Sequence, residues 1–575
     1  MNSPTSIRLR ADSADSDREK DQPPPTRGRR LAAFAAAYGH ILLAVAGASV
    51  FVFARPPVAD LQAADARAAA AARGVGPSYW LSWFSGSAPG GYSVLAPTIG
   101  AWLGVAFAAA CSVVLIAVLA RPLLAGTTRQ RTGAYLVVVC ALCNLWSGRV
   151  AFSLGAAVSV AALVLLRQRR PVLGGVVNGV AALLSPLAPA FVLMGLSGPF
   201  LTRRPSRPPM LRFAALSVVG LVLPSLLFGA PGHMPYPFTT LCWTVGILLA
   251  AACLRLPREI RISLLLGALV AVALFLIPNG VGANMGRYAF LVMPPLVWAV
   301  TEAPKRVVVL GLVPALIYSG FQVVSDVDRS RAPQAQPAYY TALRAELRTL
   351  PARDNHRVEV IDTDTHRADV ELVPTVYLAR GWENQSDTEA NPIFWTGQKL
   401  TAQVYRQWLD AAAVAWIAVP NKPIRRGDAE AALVTGGLDY VTEIWHDSNW
   451  RLYQVDDPQG IVAAPARVIS ASETSMRINI PRPGPVTVRV RASKYLTFTL
   501  VGDPSTSVCL TADPDGSVTA RVTTPGDYQL AGRFDVAKVL GGGCASTSAP
   551  ASAPASASVP TSAATSSGAA SAPTR

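Results

Sequence analysis

The chain is poor in charge, because only 15% of its 575 residues are Asp, Glu, Lys or Arg, against roughly 25% in an ordinary soluble domain. It has few histidines (five) and few cysteines (seven). It contains neither a G-x-x-x-x-G-K-[ST] loop nor an H-E-x-x-H pair, so neither nucleotide hydrolysis nor zinc-dependent hydrolysis is indicated. With 51% hydrophobic residues it is not a disordered, nucleic-acid-binding chain either, and we expect no nucleic-acid partner.

The few charges are unevenly distributed along the chain. The formal net charge is +16. Residues 31–324 carry twenty basic and four acidic groups, whereas residues 325–575 carry twenty-four basic and twenty-six acidic groups. The whole surplus therefore lies in the apolar half of the chain, where charge reports on membrane topology.

Apolar runs of the length needed to cross about 30 Å of hydrocarbon fill residues 31–324. We predict eleven spans, at Leu31–Phe53, Leu95–Ala120, Thr132–Trp146, Val150–Leu166, Val172–Leu184, Ala188–Leu201, Leu211–Gly229, Phe238–Leu254, Ile260–Ile277, Tyr288–Val300 and Val307–Val324. The first run is longer than the apolar core of a cleavable signal peptide, which favours a retained helix. The stretch 172–201 is too short for two full crossings, so a short helical hairpin and a re-entrant pair both remain open.

The basic residues give an orientation. Fifteen of the twenty basic residues in this half fall in alternate connections between the predicted spans, and such connections face the cytoplasm. We therefore predict a multi-pass plasma-membrane protein with a cytoplasmic N-terminus and with everything after Val324 outside the cell.

The remaining segments are assigned by composition and pattern. Residues 1–30 are predicted to be a disordered cytoplasmic N-terminus. Residues 325–460 alternate strand and helix patterns, which predicts an extracytoplasmic α/β domain, and 461–540 show short period-2 runs typical of a β-sandwich. Residues 541–575 form an Ala/Ser/Pro tail that is predicted to be disordered. Whether Cys509 and Cys544 form a disulfide stays open.

The first predicted outer loop, residues 54–94, contains the only acidic residues of the membrane half on that side, Asp60 and Asp65. A carboxylate here is a candidate general base for a sugar hydroxyl, and the aromatic residues Trp80 and Tyr92 are candidates for substrate contact. The alternative is that Asp60 caps an interfacial helix and the aromatic side chains form an ordinary interfacial belt.

Five basic residues depart from the charge bias, and two of them, both arginines, lie outside the 54–94 loop. Arg149 and Arg287 lie at the predicted outer edge of the membrane, where an ionisable residue indicates function. A guanidinium matches a phosphate through two parallel hydrogen bonds, so both are candidates for binding a donor phosphate. The alternative is that each snorkels to lipid phosphate or pairs with Asp60.

The densest polar segment of the outer region runs from residue 380 to residue 392. Arg380, Trp382, Glu383 and Asp387 are candidates for substrate binding, because an aromatic face beside carboxylates suits sugar hydroxyls. Glu383 and Asp387 are four residues apart and share a face if the segment is helical. A capped surface loop without function is the alternative.

Four short motifs carry a family resemblance. They are Gly90-Gly91-Tyr92-Ser93, Ser147-Gly148-Arg149, Ser185-Pro186 and Arg380-Gly381-Trp382-Glu383-Asn384-Gln385. Over about residues 31–460 the chain resembles the GT-C superfamily of polyprenyl-phosphate-sugar-dependent glycosyltransferases, and its β-sandwich is similar to carbohydrate-binding modules attached to some of them. The resemblance implies a polytopic α-helical fold and inverting sugar transfer at the outer face.

The resemblance also implies roles and partners. Asp60 best matches the catalytic base, with Asp65 behind it. The implied partners are membrane lipid, a polyprenyl-phosphate sugar and a cell-envelope glycan acceptor, and a divalent metal cofactor stays open. The competing interpretation is a non-enzymatic envelope-assembly scaffold or a transporter. A transporter is expected to show paired repeats and mid-membrane charges, which the sequence lacks, whereas a scaffold would share the whole topology.

Overall fold

The computed structural model describes residues 27–229, 232–373, 375–397, 399–422, 427–536 and 539. The predictions for residues 1–26 and for the Ala/Ser/Pro tail fall outside these ranges. Cys544 is also outside them, so its pairing with Cys509 stays a prediction.

Helices occupy all the predicted apolar runs. In chain order they are α1 (Arg27–Ala54), α2 (Ala59–Ala72), α3 (Ala96–Leu103), α4 (Val105–Leu123), α5 (Gln130–Trp146), α6 (Val150–Arg167), α7 (Pro171–Leu184), α8 (Leu187–Thr202), α9 (Arg207–Phe228), α10 (Phe238–Ala252), α11 (Arg258–Leu276), α12 (Met293–Val300) and α13 (Lys305–Arg329). A helix satisfies its own backbone hydrogen bonds, which is what an apolar segment in lipid requires. A π-helical turn, Tyr288–Val292, leads into α12.

Six helical segments are long and apolar enough to cross a membrane, judged by length and composition. They are Ala37–Ala54, Val105–Leu123, Val150–Arg167, Arg204–Phe228, Arg258–Leu276 and Lys305–Arg329. This supports a multi-pass membrane protein, and the count of eleven crossings stays a prediction. Helices α7 and α8, with 14 and 16 residues, reach only about 21 and 24 Å, and they are joined by Ser185 and Pro186.

The prediction of one continuous span over Leu95–Ala120 is wrong. The helix is interrupted at Gly104, whose positive φ of 80° ends α3 before α4 begins. The short helix α3 instead packs against α2, because Gly100 leaves room for Ala68 beside it: a Cβ at Gly100 would lie 3.1 Å from the Ala68 Cβ. The first outer loop is thereby attached directly to the helical half.

Beyond α13 the chain forms a mixed sheet flanked by helices. Its strands are β1 (Arg357–Val360), β2 (Tyr377–Leu378), β3 (Val414–Pro420), β4 (Val441–His446) and β5 (Trp450–Val455), and its helices are α14 (Thr341–Leu347), α15 (Arg367–Glu371), α16 (Asn384–Ala390), α17 (Ala402–Ala411) and α18 (Asp428–Thr435). The strand order is β2-β1-β3-β5-β4. Strands β1, β2 and β3 run parallel to one another. Strand β5 is antiparallel to β3, and β4 is antiparallel to β5. This is the α/β arrangement that the strand and helix patterns predict.

The C-terminal region is rich in β-structure. Its strands are β6 (Arg467–Ala471), β7 (Ser475–Ile480), β8 (Gly484–Val488), β9 (Leu496–Leu500), β10 (Asp503–Ser507), β11 (Leu510–Ala512), β12 (Val518–Val522) and β13 (Gly526–Gly532). They form a five-stranded sheet ordered β10-β9-β13-β7-β6 and a three-stranded sheet ordered β11-β12-β8. Buried residues of both sheets share one hydrophobic cluster.

The first outer loop lies between these two regions and contributes to both of their cores. Tyr79 and Leu81 belong to the cluster of the β-rich region, whereas Trp80, Trp83 and Phe84 belong to the cluster on one face of the mixed sheet. Successive side chains of an extended segment point in opposite directions, which explains how neighbouring residues enter different cores. These aromatic side chains are therefore buried in protein, and the alternative of an interfacial belt is not supported.

Candidate active site

A cavity of about 370 Å³ lies where the helical half meets the mixed-sheet region, a size typical of small-molecule sites. Its walls come from α2, the turn before α6, the loop before Tyr288, the end of α13 and two loops of the mixed-sheet region. Six of the ten predicted site residues line it: Asp60, Tyr92, Arg149, Arg287, Trp382 and Glu383.

Asp60 lies in the first turn of α2, and its side chain is 44% exposed. The N-cap residue of this helix is Val58, which makes no side-chain capping bond, so the interpretation of Asp60 as the cap is not supported. Its Oδ2 lies 3.6 Å from Nε of Arg149. The carboxylate is thus held at the cavity wall and remains accessible.

Arg149 reaches Asp60 because Gly148 allows α6 to begin close to α2. Gly148 has a φ of 74°, and a Cβ at this position would lie 2.6 Å from the Leu61 nitrogen, so only glycine fits. Arg149 donates from Nη2 to Oε1 of Gln322 at 2.6 Å. Burial lowers the pKa of Arg149, the neighbouring Arg287 lowers it further, and Asp60 raises it.

Arg287 is a poorly compensated cation in the cavity. It is 6% exposed, and its guanidinium carbon lies 5.3 Å from the centre of the Phe152 ring. It makes no ion pair within the described residues, and its buried Nη1 has no hydrogen-bond partner there. A buried donor without a partner is costly, so this atom is available to an anionic ligand.

A third arginine of the cavity, Arg67, lies on α2. Its guanidinium carbon lies 5.6 Å from the centre of the Trp80 ring. Burial lowers the pKa of Arg67 to about 10, and Glu383 acts in the opposite direction. Burial raises the pKa of Glu383, while a hydrogen bond from Ser386 and the charge of Arg67 lower it. Glu383 is therefore a half-buried carboxyl whose pKa stays above its usual value, because burial outweighs these two neighbours.

Another wall of the larger cavity is formed by residues that were not predicted from the sequence. Asp326 accepts a hydrogen bond from Nη2 of Arg329 at 2.7 Å, and Nη1 of Arg329 lies 3.6 Å from Oδ2 of Asp364. This chain of charges joins the end of α13 to the loop after β1. The available signal was the sequence Asp362-Thr363-Asp364-Thr365-His366, directly after a predicted strand, since polar residues at the carboxyl end of a parallel strand indicate a site.

A smaller cavity of about 80 Å³ adjoins the first. Arg380, Trp382 and Asp387 are among its lining residues. Arg380 donates from Nε to Oε1 of Glu359 at 2.8 Å and from Nη2 to Oε2 of Glu430 at 2.9 Å. Both partners are buried, so the guanidinium is held in a fixed position by this network.

Asp387 is also held by internal contacts. Its Oδ1 accepts from Nδ2 of Asn391 at 2.7 Å, and its Oδ2 accepts from Nε1 of Trp395 at 2.8 Å. Helix α16 begins directly after Glu383, so Glu383 is the N-cap residue and the two carboxylates do not share the helix face that the spacing predicted. Glu383 faces the larger cavity and Asp387 the smaller one.

Two predicted residues, Trp80 and Asp65, are not among the residues that line either cavity. Trp80 is 0% exposed, stacks on Trp83 with ring centres 5.7 Å apart, and so supports the cavity wall from behind. Asp65 is five residues from Asp60, which turns it about 140° away around α2, and its Oδ1 pairs with Nη2 of Arg55 at 3.0 Å. Their placement does not support direct contact with substrate.

The described residues contain no group of three or more His, Cys, Asp or Glu side chains that could hold a metal ion. The carboxylates of the larger cavity are instead mostly paired with arginines. A divalent cofactor therefore has no recognisable ligand set in this part of the chain, and no step below uses one.

Comparison with protein-family models gives no match, and comparison with curated proteins gives none either. Among solved structures, the chain is similar to cryo-EM structures of arabinofuranosyltransferase AftD from mycobacteria. One class of a mutant form matches with 16% sequence identity and a TM-score of 0.43 over 78% of this chain and 43% of that chain. The form without the mutation matches with 16% identity and a TM-score of 0.38 over 79% and 41%.

The resemblance to a glycosyltransferase that the motifs indicate stays a prediction. The chain spans less than half the length of the AftD chains that it matches. At this identity the likeness concerns the course of the chain alone, and the activity is argued below from the cavity.

Proposed function

We propose that this protein is a membrane glycosyltransferase that moves a sugar from a polyprenyl-phosphate donor to a cell-envelope glycan. The supporting observation is the larger cavity, in which an accessible carboxylate, Asp60, lies beside two arginines, Arg149 and Arg287. This combination supplies a proton acceptor and an anion-binding pair in one place.

The proposed reaction is an inverting displacement. The carboxylate of Asp60 accepts the proton of an acceptor hydroxyl, and the hydroxyl oxygen forms a bond to the anomeric carbon of the donor sugar. The bond from that carbon to the phosphate oxygen breaks, and the polyprenyl phosphate leaves with the electron pair. Arg149 and Arg287 stabilise the additional negative charge by charge-assisted hydrogen bonds.

The proposal includes a topology. Eleven crossings within residues 31–324, with residues 1–30 in the cytoplasm, would place the cavity at the outer face. Residues 325–460 would form an α/β domain and residues 461–540 a β-sandwich, followed by the 541–575 tail, all outside the cell. The arginine-rich alternate connections support this orientation.

The direct test is sugar transfer by membranes that contain the Asp60→Asn variant. The substrates are polyprenyl phosphates, each carrying one radiolabelled pentose or hexose, and the measurement is label transferred to glycan. We expect Asp60→Asn to lose about 100-fold or more of the rate, since general-base catalysis contributes that much. Asp65→Asn is the matched control on the same helix and should retain activity, because Asp65 faces Arg55.

Two results would count against the proposal. Full activity of Asp60→Asn would mean that Asp60 is not the general base. Absence of transfer from every donor by the folded wild-type protein, under conditions in which the donors are soluble, would remove the enzymatic function and favour a scaffold.

A further inference from the structure

The smaller cavity lies at the edge of the mixed sheet where parallel strands end. It is lined by residues that end or follow β1, from Glu359 to Asp364, and by residues that end or follow β2, from Leu378 to Trp382. In the order β2-β1-β3, strand β2 lies on one side of β1 and strand β3 lies on the other side. The connections that follow β1 and β2 therefore run to opposite sides of β1. In open α/β sheets, ligands bind outside the carboxyl ends of strands at such a point.

Two buried carboxyl oxygens at this cavity lack partners. Asp369 is 8% exposed and Glu359 is 0% exposed. Within the described residues, Oδ1 of Asp369 and Oε2 of Glu359 have no hydrogen-bond donor, although both residues line the cavity. Burial raises the pKa of both carboxyl groups. Buried acceptors are normally satisfied, so a ligand that donates hydrogen bonds fits here.

The charge of this cavity excludes an anionic ligand. Its acidic residues outnumber its arginine: they are Glu359, Asp362, Asp364, Asp369 and Asp387. The arginine, Arg380, is already engaged by Glu359 and Glu430. A phosphate is therefore suited to the larger cavity, and a neutral donor of hydrogen bonds is suited to the smaller one.

Trp382 adds an apolar wall. It lines both cavities, and its ring is packed edge-on against Trp83 with ring centres 4.4 Å apart. An aromatic face beside carboxylate oxygens suits a sugar ring, which has an apolar face and hydroxyl groups at its edge. The volume of about 80 Å³ limits the ligand to no more than one ring and excludes a longer chain.

We propose that the smaller cavity binds one neutral sugar ring of the acceptor glycan, with hydroxyl groups donating to Asp369 and Glu359 and the ring lying against Trp382. Asp364, His366, Trp382 and Asn384 line both cavities, so a glycan held in the smaller one continues toward Asp60. Only the description of the ligand as an acceptor rests on the proposed function. Binding of a neutral sugar does not.

The experiment measures sugar binding by the full-length protein in detergent, using saturation-transfer NMR with neutral methyl pentosides, methyl hexosides and their disaccharides. Asp369→Ala should weaken binding of the preferred sugar about tenfold or more, since it removes a buried hydrogen-bond acceptor. Asp328→Ala is the control, because Asp328 is exposed and is not among the residues that line either cavity. Thermal unfolding and gel filtration verify that each variant is folded.

A second variant tests the volume of the cavity independently of its charge. Ala368 lines the smaller cavity, and Ala368→Met should fill part of it and also reduce sugar binding. Wild-type binding by both Asp369→Ala and Ala368→Met, or no binding of any neutral sugar by the wild type, would overturn the proposal.

The same assay separates this inference from the proposed function. Arg287→Gln should leave sugar binding unchanged while it weakens binding of a polyprenyl phosphate. Sugar binding that depends on Asp369, in a protein that binds no polyprenyl phosphate, would overturn the proposed function and support this inference.

Discussion

At the scale of single residues, the informative positions are the charges that topology does not explain. Arg149 and Arg287 stand apart from the fifteen basic residues in alternate connections, and the structure brings both to one cavity. Asp326, Arg329 and Asp364 could not be predicted in the same way. Asp326 and Arg329 lie near the end of α13 and Asp364 follows β1, and each looks like an ordinary surface residue until the fold brings the two segments together.

The prediction at the scale of single residues concerns Arg287. Arg287→Gln should raise the KM for the polyprenyl-phosphate donor about tenfold or more, because it removes a buried, charge-assisted donor of hydrogen bonds. Arg287→Lys should recover only part of the loss, since lysine keeps the charge without the planar fork. The measurement is the initial transfer rate against donor concentration.

Arg55→Gln is the control for this series, because Arg55 is exposed and pairs with Asp65 away from the cavity. An unchanged KM in Arg287→Gln would return Arg287 to the class of arginines that simply reach the lipid headgroups.

At the scale of elements, apolar runs predicted helix positions well, because backbone in lipid has few alternatives to a helix. The predictions failed where one residue or a tertiary contact decides the structure. Gly104 interrupts a run that reads as one span. Strand β4 cannot be predicted from the sequence, because its side chains are mostly exposed and give no alternating apolar signal. The short helix α15 is polar and is held by ion pairs of Arg367 and Arg344 with Glu371.

The first outer loop shows why the site could only partly be predicted. Its acidic and aromatic residues indicated a functional loop, but its packing depends on regions about 270 and about 390 residues further along the chain. Leu81 donates its backbone N–H to the carbonyl of Glu473 at 2.8 Å, and Nη2 of Arg357 donates to the carbonyl of Ser85 at 3.2 Å. The sequence of the loop alone contains neither contact.

Gly532 tests the anchoring of this loop. A Cβ at Gly532 would lie 2.2 Å from Cγ of Tyr79, so Gly532→Ala should displace the Tyr79 ring. Such overpacking costs about 1–3 kcal/mol, and we expect a lower Tm and faster proteolysis within residues 73–94. Thermal unfolding and limited proteolysis measure both effects.

Gly76→Ala is the control for this prediction, since a Cβ at Gly76 would have nothing within 4 Å. Equal Tm values for Gly532→Ala and wild type would mean that the loop is not held by this contact.

At the scale of the whole molecule, the change in composition after residue 324 predicted that a membrane half is followed by a different kind of structure. How the outer regions sit on the helices could not be predicted, because it depends on a few polar contacts between distant segments. Oγ1 of Thr388 donates to the carbonyl of His233 at 3.0 Å, and Nζ of Lys494 donates to the carbonyl of Leu226 at 3.1 Å.

At the scale of the whole molecule we predict the side of the membrane on which each connection lies. Alkaline phosphatase fused after residue 329 should be active, because the enzyme needs the environment outside the cytoplasm, whereas a fusion after residue 168 should be inactive. Green fluorescent protein at the same two positions should give the opposite pattern. A cytoplasmic position for residue 329 would contradict the orientation and move the cavity to the wrong face.

The central claim is that Arg149 and Arg287 hold the phosphate of a lipid-linked sugar beside Asp60. Native mass spectrometry of the purified full-length protein tests it most directly, by identifying the lipid that remains bound in wild type and in the Arg149→Gln, Arg287→Gln double variant. We expect a polyprenyl phosphate, with or without its sugar, on the wild type and at least tenfold less on the double variant. Equal amounts on both proteins, or only bulk phospholipid on the wild type, would contradict the account.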